Sequence, residues 1–186
     1  MLYSFYAVVT FDLLKDALNN TGEAVRAGNY SAFPLNSGAI MSYPIEEKLV
    51  VGVASSALFD LSESNQIFEL KGVTAYREHQ QAHIDEPLPK GVAFPFIRRF
   101  LSINQVFPDL LPVEVVLLSR NSPETGLRVF RSIEHYGLDI TRAAFMGGGS
   151  PHEFIDAFNA SLFLSAHEPD IQQHIASGFP AGLVLP

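Results

Sequence analysis

At 186 residues, 47% apolar and 17% charged, the chain is long enough and apolar enough to build one folded domain with an appendage. A formal charge of −8 argues against a nucleic-acid partner, because phosphate backbones call for clustered Lys and Arg. The absence of cysteine removes disulfides, thiolate chemistry and cysteine zinc sites, and no apolar run approaches the roughly 18 residues of a membrane helix, so no membrane partner is expected.

In chain order, the opening MLYSFYAVV lacks the basic start and long apolar core of a signal peptide, which makes a cytosolic location the default expectation. Phe11 to Leu18 has helical spacing, with Leu14 and Leu18 on the face of Phe11, and Tyr30 to Pro44 reads as loop. Residues 1–48 are expected to form an N-terminal appendage, packed on a sheet edge or contacting a partner. Leu49 to Ala54 then gives an unbroken small and apolar run with three valines, the pattern of a strand buried on both faces. It stops at Ser55 and Ser56, and Asp60 with Glu63 offers a capping pair for a helix.

Ser64 to His83 is helical in composition and broken at Gly72, and a second helix is predicted from Phe94 to Ile103, with Phe96, Phe100 and Ile103 on one face. Phe94, Phe96 and Phe100 are expected in the core. His79 and His83 stand one helical turn apart without a third ligand at customary spacing, so His79, Gln80 and Gln81 read as a solvated face. Val113 to Leu118 is a strand. Ser122, Pro123 and Glu124 start a helix that ends at Tyr136 and Gly137. Ile140 to Met146 is a strand running into Gly147, Gly148 and Gly149, and Ser150, Pro151 and Glu153 form a capping box for a further helix. Leu162 to Leu164, a helix from about Pro169 to Ala176, and a strand from Ala181 to Leu185 complete the chain. Strands alternating with helices predict an α/β domain over 49–186, with a largely parallel, doubly wound sheet.

Four strand ends therefore converge on one edge. They carry Ser55 and Ser56; Ser119, Arg120 and Asn121; Gly147, Gly148 and Gly149; and Ser165 with His167. Hydroxyls, backbone N–H groups and a guanidinium suit a phosphate, and Ser55, Ser56, Ser119, Arg120, Asn121, Gly148 and Gly149 are the candidate ligand-binding residues. Ser122 and Ser150 are better explained as helix caps.

The stretches VASSALFDL, AYREHQQAHIDEPLPKGVAFPFIRRFL, VEVVLLSRNSPETGLRVFRSIEHYGLDITRAAFMGGGSP and LFLSAHEPDI resemble the cytosolic 5′-nucleotidase type I family of the haloacid dehalogenase-like superfamily. The resemblance covers nearly everything from Leu49 to Pro186. It implies a Rossmannoid fold with a small helical cap, here about 61–90, and for full-length members Mg²⁺-dependent hydrolysis of nucleoside 5′-monophosphates, chiefly AMP. The superfamily reaction uses an aspartate nucleophile at the end of the first strand and an aspartate acid/base two residues on. It also uses a Ser or Thr after the second strand, a later lysine, and acidic residues after the fourth strand for Mg²⁺.

Overlaying that pattern places Val53 at the nucleophile, Ser55 at the acid/base and Ser119 at the phosphoryl-holding position. Lys90 is the last lysine, Pro151 falls in the lysine region, and Ser165 and Ala166 replace the acidic pair. Valine cannot attack phosphorus. Family members look like two related halves in tandem, with the intact motif in the later half; this chain matches the earlier one. No catalytic residue, no resident metal and no tight Mg²⁺ binding are expected, and whether the chain is an enzyme is left open. It reads as a non-catalytic half that binds a nucleoside monophosphate or phosphate weakly and pairs with a catalytic half or a second copy, or as a stand-alone binding module. Hydrolysis through Ser55, activated by His152 or His167, is the remaining alternative.

Overall fold

The computed structural model describes residues 7–10 and 47–185. The predicted helix at Phe11–Leu18 and loop at Tyr30–Pro44 lie outside them. Ala7–Thr10 is β1 and Leu49–Val53 is β2, followed by the short α1 (Ser55–Leu58), the long α2 (Ser62–Ala82), α3 (Phe94–Leu101) and α4 (Ile103–Val106). Then come β3 (Val113–Ser119), α5 (Pro123–His135), β4 (Arg142–Phe145), two 3-10 turns, β5 (Leu162–Ser165), α6 (Glu168–Ala176) and β6 (Ala181–Leu183).

The six strands form one sheet in the order β1-β4-β3-β2-β5-β6. Every pairing is parallel except that of β1, which runs antiparallel along β4. The fold is thus the expected α/β Rossmannoid. β2 is central, with β3 on one side and β5 on the other. Its apolar run has no polar face because helices cover both sides of a parallel sheet. All seven residues of β3 are buried, even Glu114, whose carboxylate takes the Arg142 guanidinium. A Cβ on Gly52 would come within 3.0 Å of Leu118 and 3.2 Å of Phe163, so a bare backbone here lets those side chains cross the strand.

Residues 7–10 place part of the predicted appendage in the sheet itself, on its β4 edge. α2 kinks at Gly72 (φ 78°, ψ −176°), where the sequence showed a break. α3 buries Phe94, Ile97 and Leu101. Of the three phenylalanines expected in the core, Phe94 is there, but Phe96 is 46% exposed and Phe100 only partly buried. The capping box at Ser150 opens not an α-helix but two 3-10 turns, Pro151–Phe154 and Asp156–Phe158, closed by Asn159 in the left-handed region. β4 and β6 are shorter than predicted, although the Met146 and Val184 N–H groups just past their ends still donate to the Ser119 and Ser165 carbonyls at 2.9 Å.

Candidate functional site

Val53 ends β2 with no exposed surface, and Ser55 follows at the first position of α1. The parallel register carries Ser119 to the end of β3 next door, and the two buried hydroxyls meet, Ser55 Oγ to Ser119 Oγ, at 2.9 Å. Ser119 Oγ also accepts the Asn121 N–H at 3.2 Å. The same device recurs along the edge: Ser165 Oγ accepts from His167 N–H at 3.0 Å, and Ser150 Oγ from His152 N–H at 3.3 Å. A hydroxyl that satisfies the N–H two residues on is a turn former. The strand-end serines therefore have a structural role before any ligand is considered.

Arg120 leaves β3 and reaches the first turn of α6. Its guanidinium takes both carboxylate oxygens of Asp170, with Nε to Oδ1 at 3.0 Å and to Oδ2 at 3.2 Å, and Nη2 also on Oδ1. Nη1 donates to the Gly148 carbonyl at 3.1 Å. Asp170 is 2% exposed, and His167 Nδ1 stands 3.3 Å from its other oxygen. As a candidate ligand-binding residue, Arg120 is expected to be open to an anion. That is corrected: fifty residues on, Asp170 already occupies it.

The glycine loop is also corrected as a source of donors. Gly147 N–H donates to the Asn121 carbonyl at 3.1 Å, Gly148 N–H to that of Arg120 at 2.6 Å, and Gly149 N–H to that of Met146 at 3.0 Å. Gly147 and Gly148 adopt φ of 53° and 100° to make this turn. The loop closes against the end of β3 rather than cradling a phosphate. Asn121 Oδ1 accepts from Tyr76 at 3.2 Å, while its Nδ2 is buried without a hydrogen bond among the described residues. Ser56 is half-buried on α1, outside this network.

Tyr76 begins a second network that the sequence did not suggest. Gln80 Nε2 donates to its hydroxyl at 3.2 Å, Arg128 Nη1 donates to Gln80 Oε1 at 3.1 Å, and Arg128 Nε reaches the Glu86 carbonyl at 3.0 Å. Gln80 is 2% exposed, so the expected solvated face around His79 and Gln80 is corrected: the face toward α5 is polar but buried. Burial raises the Tyr76 pKa and lowers that of Arg128. The Gln80–Arg128 bond ties α2 to α5 beside the strand ends.

Ser122 is the N-cap residue of α5, but its side chain makes no cap bond; its hydroxyl lies 3.2 Å from Thr125 Oγ1 instead. Neither proposed histidine partners Ser55: His167 turns to Asp170, and the His152 ring packs 4.9 Å from His174. The donors at the strand ends do not fit Mg²⁺ either. Val53 and Ser55 supply no carboxylate, Asp170 is engaged by Arg120, and among the described residues no three His, Asp or Glu side chains gather closely enough to hold a metal ion.

The 5′-nucleotidase family pattern matches residues 41–186, covering the whole parallel sheet and every strand end described above. The chain belongs to the 5′-nucleotidase family. It is 29% identical over 162 residues to human cytosolic 5′-nucleotidase 1B, a match covering 83% of this chain and 27% of the relative. The chain thus spans about a quarter of the length of that curated relative. No solved structure matches it.

Proposed function

We propose that this chain is a non-hydrolytic 5′-nucleotidase domain whose strand-end crevice is closed by its own side chains, and that it serves as a structural or regulatory half. The observation that carries this reading is the mutual pairing of the groups that would handle a phosphoryl group, Ser55 with Ser119 and Arg120 with Asp170. Hydrolysis needs a nucleophile and stabilisation of the charge that develops on phosphorus. Val53 offers neither, and the edge lacks metal-binding carboxylates. The proposed partner is a catalytic half or a second copy of the chain. A cytosolic location is proposed from the name of the human relative; no helix among the described residues is long and apolar enough to cross a membrane.

Weak binding of phosphate or a nucleoside monophosphate at this edge is a second reading, favoured by the 39% exposure of the Arg120 side chain. An anion there has to displace Asp170. Purified chain is assayed with AMP and Mg²⁺, and phosphate is titrated into the wild type and Asp170→Asn. The proposal expects turnover well below about 1 per second, the low end of ordinary enzymes. It also expects phosphate binding that is absent or millimolar in the wild type and tighter in Asp170→Asn. Turnover at or above that rate, abolished by Ser55→Ala, would overturn it.

A further inference from the structure

A cavity of about 840 Å³ lies away from the strand ends, between α3 and the residues that close α5. Lys90, Arg98 and Arg99 all line it, with Asp139 the one carboxylate among its lining residues. This is a concentration of positive charge in a chain with 12 Lys and Arg and a net charge of −8. Elsewhere Arg120, Arg131 and Arg142 are held in ion pairs and Arg128 is buried.

The Lys90 ammonium stands 5.2 Å from the centre of the Phe94 ring and 5.1 Å from that of Tyr136. Aromatic faces hold a cation in place without neutralising it. Arg98 and Arg99 project from α3 as exposed side chains. The carbonyl end of α5, which would repel an anion, is closed off: Tyr136, Gly137 and Leu138 N–H groups donate to the carbonyls of Ser132, Glu134 and Ile133. Asn104 adds nothing to a ligand, since it clamps both the N–H and the carbonyl of Val113.

Three like charges around one concave surface, with a single carboxylate to offset them, raise the local concentration of anions. The aromatic floor gives an organic skeleton something to rest on. We propose that this groove binds a small organic polyanion, phosphorylated or polycarboxylated, with its charged groups on Lys90, Arg98 and Arg99 and its carbon frame against Phe94 and Tyr136. The site is independent of the strand-end crevice.

Pyrophosphate and citrate are titrated calorimetrically into the full chain at low salt, the two probes separating phosphate from carboxylate recognition. The expected result is millimolar or tighter binding of at least one, weakened on the order of tenfold in Arg98→Ala/Arg99→Ala and again in Lys90→Gln. Binding is also expected to weaken as salt is raised. All three cations are exposed, so circular dichroism is expected to show unaltered folding in these variants. No heat at about 10 mM of either probe, or binding that the double variant leaves intact, would overturn the inference.

Discussion

Removing Arg120 is expected to destabilise the fold more than neutralising its partner, because what matters is the group left behind. In Arg120→Ala the Asp170 carboxylate, 2% exposed in the native fold, loses its guanidinium and keeps the His167 ring 3.3 Å away. Stranding a fully buried charge costs about 3–5 kcal/mol. Here the arginine side chain is 39% exposed, so water already screens part of the pair, and about 2 kcal/mol is the reasonable expectation. In Asp170→Asn the shape and one acceptor survive, and Arg120 can turn into solvent; about 1 kcal/mol covers the weakened hydrogen bonds and the lost negative charge in the first turn of α6. The assay is urea unfolding at neutral pH, reading the shift in midpoint at unchanged slope for both single variants and the double. The double variant should cost less than the sum of the singles. An Asp170→Asn variant as unstable as Arg120→Ala, or strict additivity, would show that the two side chains do not act as a pair.

Further outcomes follow from the same contacts. Restoring an aspartate with Val53→Asp should not restore hydrolysis of AMP; it places a charge where no surface is exposed and should cost about 3 kcal/mol or more, read as a lowered unfolding midpoint. Gly126→Ala should lower stability by roughly 1 kcal/mol: alanine gains about 1 kcal/mol of helix propensity, but its Cβ would overlap the buried Phe145 ring, and overpacking costs about 1–3 kcal/mol. A rise in melting temperature would mean that the ring moves aside. Burial lowers the His174 pKa below that of the unfolded chain, so the folded state resists protonation. Its contribution is intact above the unfolded value of about 6.5 and is lost as pH falls from there toward the lowered folded value. His79 shifts the same way, also through burial. Unfolding measured from pH 8 down to 5.5 should show this loss, and His174→Phe, among Phe163, Phe179 and His152, should reduce it.

Runs of valine and leucine announced β2 and β3 because a strand buried on both faces has no polar residues to confuse its reading. The Gly72 kink and the end of α5 at Gly137 were legible for a similar reason: glycine at positive φ is a local requirement. The face of α3 was not legible. Phe96, Phe100 and Ile103 have the same helical spacing as Phe94, Ile97 and Leu101, and only the neighbouring sheet and Tyr136 decide which stripe turns inward. The strand-end residues were found, but their partners were not. A serine looks identical in sequence whether it waits for a phosphate or holds the N–H two residues on. Asp170 and Tyr76 are distant in sequence from the residues they engage, and no period or motif links Arg120 to the one or Asn121 to the other.

The pairing of β1 with β4 has a consequence for the order of events during synthesis. Ala7 finds its partner in Phe145, so β1 is bound to a strand made only after both β2 and β3. Closing so long a loop carries an entropic cost before the contact returns anything, and such pairings form late. During synthesis, β1 must wait with its ladder groups open while β2 and β3 assemble behind it. During that interval the β4 edge, once made, is equally bare, and an extended segment from another chain can take the place of β1. β1 therefore acts as a late-arriving seal, and slow translation before β4 lengthens the period in which the seal can be misplaced.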